Sequence, residues 1–197
     1  MKEEKGGNSM EKIQTTLLAR QFIKKGVKEG GFVIDATIGR GFDTEYLCRL
    51  VGEKGKVIGF DIQEEAITST RERLTNEKIQ TPVELILDSH ANMNTYVEKE
   101  SVDGIMFNFG YLPNGDHKVA TQAESSIQAI ENGLSLLKKG GVMSLCIYHG
   151  KDTGFEERDA ILNYLKTISH KNYTVIVTEL YNRPNHPPIF AGIVRDK

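Results

Sequence analysis

The chain has 197 residues, 39% of them hydrophobic and 26% charged, with a net charge of −2 and a pI near 6.2. That length carries one domain with a full core and no staples. The charge balance excludes a nucleic-acid binder that works through bulk basicity, so any phosphate-binding surface must be a local patch.

Residues 1–9 are polar and glycine-bearing with no apolar stretch of a signal peptide behind them. They are expected to form a disordered tail ahead of a single domain spanning residues 10–197. From Met10 to Lys28, apolar residues at Ile13, Leu17, Leu18, Phe22 and Ile23 share one helical face. "GFVIDAT" is an apolar run ending in polar residues, as expected of a strand buried on both faces. "DTEYLCRLVG" reads as a short helix closed by Gly52, "KVIGFDI" as a second strand, and "EEAITSTRERLTNEK" as an amphipathic helix. "VELILD" is a third strand, with a short helical or loop segment over 91–98.

"SVDGIMFNF" is the fourth strand, and a long helix is expected from about Val119 to Leu137, ended by "KKGG" ahead of a fifth strand, "GVMSLCIY". A helix over about Gly154–Ile168 follows. "YTVIVTELYN" and "PIFAGIVRDK", joined by "RPNHPP", are two strands with no helix between them and hence antiparallel. Five βα units predict a mostly parallel sheet with helices on both faces. No apolar run nears the roughly 20 residues of a membrane span. Cys48 and Cys146, far apart in apolar segments, read as reduced core residues, and no metal pattern is present, so a cytoplasmic protein is expected.

In an open α/β sheet the ligand sits beyond the carboxyl ends of the strands. The first such end is "DATIGRGFDT", where Gly39 and Gly41 match two glycines of a dinucleotide fingerprint and Thr44 replaces the third. A bare G-x-G also suits a tight turn with no ligand. Asp35 and Asp43 would repel a pyrophosphate at that helix start. Asp61, 22 residues after Gly39, is placed to accept two ribose hydroxyls, with Gln63 beside it. Asp88, in "DSH", suits an exocyclic adenine amine. Ribose, adenine and a cationic amino-acid end without phosphates describe S-adenosylmethionine as the expected cofactor.

The end of the fourth strand reads "NFGYLPNGD". Asn108, two spacers and Tyr111 reproduce the spacing of the Asn-Pro-Pro-Tyr motif of amino-group methyltransferases, although the stretch is also rich in plain turn formers. An amine acceptor must lose its ammonium proton before it attacks. Asn108 Oδ1 can accept its hydrogens, and Tyr111 can stack on a flat ring. Tyr148 and His149 end the fifth strand near the same rim. His149 is a candidate proton acceptor or a hydrogen-bonded structural residue. Lys118, Lys151 and Arg183 are candidate phosphate contacts.

With those residues in hand the chain resembles the small family long labelled ribosomal RNA methylases, which includes the bacterial tRNA methyltransferase MnmM or YtqB. The resemblance covers about Met10 to Lys197 through "DATIGRGFDT", "DSH", "NFGYLPNGD", "YHG" followed by "EE", and a late "NHPP". It implies a Rossmann-like class I methyltransferase, a seven-stranded sheet ending in an antiparallel hairpin. It also implies methyl transfer to the aminomethyl nitrogen of 5-aminomethyl-2-thiouridine at the tRNA wobble position. By motif, Asp35, Thr37, Gly39, Gly41, Asp43, Thr44, Asp61, Ser89, His90 and Asn108 should line the cofactor site, and Tyr111, Tyr148 and His149 should face the acceptor. The anticodon region of tRNA is then the partner, and a homodimer is compatible with the resemblance. Arg40, Lys151 and the pair Ser125–Ser126 depart from the family pattern. Ribosomal RNA or a small-molecule amine is the alternative acceptor. An NAD-dependent oxidoreductase would share the G-x-G and Asp61 but leave Asp35 and Asp43 unexplained.

Overall fold

The computed structural model describes residues 13–110, 123–150 and 154–197. The expected tail, the first residues of the long helix, Tyr111, Lys118 and Lys151 lie outside the described residues. In chain order the elements are α1 (Thr15–Gly26), β1 (Phe32–Asp35), α2 (Phe42–Val51), β2 (Lys56–Asp61), α3 (Glu64–Asn76), β3 (Val83–Leu87) and a short 3-10 helix (His90–Thr95). Then come β4 (Val102–Phe109), α4 (Ala123–Leu136), β5 (Leu137–Ile147), α5 (Gly154–Thr167), β6 (Tyr173–Thr178) and β7 (Ile189–Arg195).

The seven strands form one sheet in the order β3-β2-β1-β4-β5-β7-β6. β1 pairs in parallel with β2 and β4, while β7 runs antiparallel between β5 and β6. The hairpin expected at the C-terminus is therefore present, and its second strand is the one inserted next to β5. Alternate residues of each central strand enter opposite cores: Val33, Val57, Met106 and Cys146 face α1, α2 and α3, whereas Ile34, Ile58, Ile105 and Leu145 face α4, α5 and the 3-10 helix. Burial on both faces is why these strands read as unbroken apolar runs. Both thiols lie in the first of these cores, and burial pushes them up to about 12, so they stay protonated and inert.

The expectation that "KKGG" separates α4 from the fifth strand is corrected. β5 begins at Leu137, which pairs with Val102, and after a bulge over Lys138–Gly141 the pairing resumes as Gly104 with Val142. Gly140 takes φ +79° within the bulge, a conformation that glycine adopts without Cβ strain. Lys138 Nζ reaches back 2.9 Å to Asp103 Oδ2, the atom that also accepts from Phe32 N.

Because the chain steps from β1 outward to β3 and then returns to place β4 on the other side of β1, the strand order reverses between β1 and β4. A crevice opens beyond their carboxyl ends, the place where such sheets hold ligands.

Candidate active site

The loop after β1 is closed from below. Thr44 Oγ1 donates to Asp35 Oδ2 at 2.6 Å and Thr37 N donates to Asp35 Oδ1 at 3.2 Å. Asp35 and Thr44 have no exposed surface, so the structure puts both beneath the loop as its support. Burial, then the Asp43 charge, raises the Asp35 pKa to about 7. A carboxyl whose folded pKa lies above its ordinary 3.8 favours the folded state when protonated, and that advantage is lost as pH rises between about 4 and 7. Asp35→Asn mimics the protonated acid, its amide nitrogen facing Thr44. The variant is expected to gain about 2–4 kcal/mol over wild type between pH 4 and 8 in urea titrations; a pH-independent difference would contradict the buried, near-neutral acid.

Gly41, with φ +75°, caps α2, and a Cβ there would fall 2.5 Å from Thr70 Oγ1. Only glycine turns the loop this tightly against α3. Gly39 N donates 2.9 Å to Asp61 Oδ2, and Gln63 N donates 2.9 Å to Asp61 Oδ1. Asp61 thus pins the tips of β1 and β2 together. A carboxylate offers about four acceptor positions, so each oxygen keeps one for a ligand hydroxyl. Ile62 follows at 57% exposure, an apolar face beside the acceptor that suits a planar base. Ile62 was not among the expected site residues; an apolar residue just past the end of β2 was the available signal.

At the end of β3, Asp88 Oδ1 accepts from Ser89 N at 2.7 Å and Asn92 Nδ2 at 2.9 Å, while Tyr96 OH donates to Oδ2 at 2.8 Å. Those bonds hold its pKa below the ordinary carboxylate value. Ser89 Oγ caps the 3-10 helix by accepting from Ala91 N. His90 lies edge-on to Phe107 and Phe109, with ring centroids 6.0 and 5.9 Å away. Burial lowers its pKa to about 4, so the ring is neutral at pH 7. Its Nε2 is enclosed without a hydrogen-bond partner among the described residues; an enclosed nitrogen presents nothing to the crevice, and the ring serves as packing on Phe107 and Phe109. The open acceptor positions on Asp61 and the exposed apolar face of Ile62 beside them suit an adenosyl group.

Asn108 joins three elements. Its backbone N donates 2.7 Å to Thr37 Oγ1, tying β4 to the β1 loop, and its Nδ2 donates 2.9 Å to Asp43 Oδ2. Asp43 Oδ1 accepts from Arg20 on α1, at 2.8 Å from Nε and 2.7 Å from Nη2. Arg20 had no place in the sequence reading, since nothing local separates a paired arginine in an amphipathic helix from a solvated one. Asp35, expected to line the cofactor site, is buried beneath the loop; Asp43 is ion-paired with Arg20, and Asp61 and Asp88 accept from backbone and side-chain donors.

At the end of β5, Tyr148 N donates to Phe109 O at 2.9 Å, and Gly110, with φ +120°, leaves room for Tyr148 Cβ. Burial raises the Tyr148 phenol to about 12, which keeps it a neutral donor. His149 Nε2 lies 3.0 Å from Pro187 O and Nδ1 lies 3.5 Å from Arg158 Nη1. A carbonyl accepts only, so Nε2 carries the proton and Nδ1 faces a guanidinium. Burial, then the Arg158 charge, lowers the His149 pKa. Of the two roles considered, this arrangement favours the structural one: His149 clasps the "NHPP" loop to β5. That loop holds Asn185 and His186 at φ +63° and +51°, and His186 packs against Phe155 and His149. Arg183 is half-buried earlier in the same connection, where its backbone N bonds to Leu180 O. Tyr181, expected within the strand "YTVIVTELYN", lies beyond β6, which ends at Thr178, and stands 97% exposed.

A seven-stranded sheet in this order, with an acidic acceptor after β2 and a glycine turn after β1, defines the Rossmann-like class of S-adenosylmethionine-dependent methyltransferases. Residues 57–194 match the family model described as "Putative rRNA methylase", and the chain belongs to that family. The structure superposes on the crystal structure of a "putative rRNA-methylase" from Clostridium thermocellum with a TM-score of 0.91 and 43% identity, covering 94% of this chain and all of that one. A Streptococcus mutans "putative methyltransferase", crystallised in complex with SAH, gives a TM-score of 0.84 and 35% identity over 94% of this chain and 99% of that one. The chloroplastic tRNA (mnm(5)s(2)U34)-methyltransferase of Arabidopsis thaliana is 31% identical over 86% of this chain. The chain spans 65% of that plant protein, less than two thirds of its length. Among the described residues no helix is long and apolar enough to cross a membrane, and no cluster of metal-ligating side chains is present.

Proposed function

We propose that the chain methylates the aminomethyl nitrogen of 5-aminomethyl-2-thiouridine at the tRNA wobble position, giving 5-methylaminomethyl-2-thiouridine. The observation that carries this reading is the direction of the Asn108 amide: its nitrogen donates to Asp43, so Oδ1 is the acceptor the amide offers at the tip of β4, with no donor to it among the described residues. An acceptor there suits a neutral amine, which brings N–H donors, and it stabilises the positive charge that builds on nitrogen during transfer. When bound, S-adenosylmethionine supplies an electrophilic methyl carbon on sulfonium, leaving a neutral thioether and a protonated secondary amine. Asp61 and Ile62 would hold the adenosyl part, and Asn108 would align the amine against the methyl. The plant relative's name supports the choice of a wobble uridine, and the family's description keeps ribosomal RNA as the second reading.

The test is methyl transfer from labelled S-adenosylmethionine to tRNA from a strain whose wobble aminomethyl groups are unmethylated, with ribosomal RNA in parallel. Label in tRNA, found by nucleoside mass spectrometry as the methylaminomethyl product, supports the proposal; label in ribosomal RNA alone refutes it. His149 holds its loop and leaves the proton of the incoming ammonium to solvent. Tyr181, a bare aromatic on the rim-side connection, is the residue proposed to stack on an unpaired anticodon base. Tyr181→Ala is expected to raise KM for tRNA about tenfold, as loss of one base stack would, with kcat and SAH affinity kept. An unchanged KM would remove Tyr181 from the interface.

A further inference from the structure

We propose that Arg20 and Asp43 are positioning residues whose donor–acceptor order fixes which way the Asn108 amide points. The catalytic consequence rests on the reading of the site as an amine methyltransferase; the geometry stands without it. The guanidinium is itself held. Its Nη2 also donates to Phe42 O at 3.2 Å, Tyr46 OH donates to Arg20 O at 2.8 Å, and the guanidinium carbon lies 5.0 Å from the Tyr46 ring centroid. Asp43 is 12% exposed, with Oδ1 turned to Arg20 and Oδ2 to Asn108.

The order of the three groups leaves one solution. A guanidinium only donates, a carboxylate only accepts, and an amide does both. Facing Asp43, Asn108 must present Nδ2, so Oδ1 must face away toward the acceptor site. Replace Asp43 by the isosteric Asn and the logic reverses. Arg20 captures the new oxygen, the new NH2 turns to Asn108, and Asn108 answers with Oδ1, presenting its own NH2 to an amine that also donates. Removing the Arg20 guanidinium as well releases the new amide, and the pair can return to the productive order.

Removing both members of an ion pair also relieves the guanidinium left unpaired in Asp43→Asn. Stability is therefore read by denaturant titration beside the transfer rate, and a contact that only held the fold would show its rescue in stability alone. The relay predicts rescue in the transfer rate. Single-turnover transfer to tRNA bearing free wobble aminomethyl groups is measured at saturating S-adenosylmethionine for wild type, Arg20→Met, Asp43→Asn and the double variant. Asp43→Asn should slow transfer about 100-fold, the scale of one misdirected group at a charge-developing site. Saturating S-adenosylmethionine keeps any change in cofactor affinity out of the measured rate. Arg20→Met should lose about tenfold or less, because the carboxylate still accepts only. The double variant should run at least about tenfold faster than Asp43→Asn. A double variant as slow as Asp43→Asn, or wild-type speed in Asp43→Asn, overturns the proposal.

A readout on the cofactor-free protein separates this from the substrate assignment. The Asn108 side-chain NH2 resonances, identified by their loss in Asn108→Ser, should shift in Asp43→Asn as the carboxylate partner is lost. If wild type methylates no tRNA and those resonances still shift, the substrate reading fails and the relay stands. Resonances that do not move overturn the relay, whatever the wild-type activity.

Discussion

Asn108→Ala is expected to reduce kcat for methyl transfer by about 10²–10³, the loss seen when one preorganised polar group is taken from a reacting centre. SAH binding is expected to change by less than about threefold. The backbone bond from Asn108 N to Thr37 Oγ1 needs no side chain, so the β1 loop keeps its anchor. What disappears is Oδ1 as an acceptor and Nδ2 as the partner of Asp43. Asp43 keeps Arg20, so no bare charge is left behind. Calorimetry with SAH beside steady-state kinetics separates the two effects. Turnover near wild type would show that the amine is oriented by another group.

Asp61→Ala acts on the other half of the site. The carboxylate is the common acceptor for Gly39 N and Gln63 N, and its remaining acceptor positions are those assigned to the ribose hydroxyls. Losing charge-assisted bonds to two hydroxyls, each worth about 1.5–3 kcal/mol, should weaken SAH binding at least about 100-fold. The loop and the start of α3 lose a shared partner as well, which adds about 1 kcal/mol of destabilisation. Kd is read by calorimetry and stability by denaturant titration. An SAH affinity within about threefold of wild type would contradict the ribose assignment.

The strands were legible because nearly every residue from Val33 to Asp35 and from Val57 to Phe60 is buried on one core or the other. The strand tips were legible too, since glycines and acids punctuate them. β5 was misread at its start because a glycine pair signals a turn, and sequence cannot tell a turn before a strand from a bulge within it. The partners of the site residues were not legible. Asp43 meets an arginine 23 positions earlier, and His149 meets a carbonyl 38 positions later. Both pairings exist only after α1 docks on the sheet and the last loop folds over β5. The four acids stand at strand ends or helix starts as read, yet Asp35 is met by Thr44, Asp43 by Arg20 and Asp61 by Gly39, 9, 23 and 22 positions away, whereas Asp88 takes local donors. One family mark gains a local reason: Ser126 on α4 donates 2.7 Å to the buried Glu157 on α5. The acid of the "EE" pair thus joins two helices below the site.

The acceptor proposed for the tip of β4, an amine on RNA facing a bound methyl donor, is tested by nucleoside mass spectrometry of hypomodified tRNA incubated with the purified protein and labelled S-adenosylmethionine. The 5-aminomethyl-2-thiouridine should be consumed and its labelled methylaminomethyl product appear, with Asn108→Ala failing to make it. Undiminished 5-aminomethyl-2-thiouridine, alongside label in ribosomal RNA or a small amine, would rule out a wobble-amine acceptor.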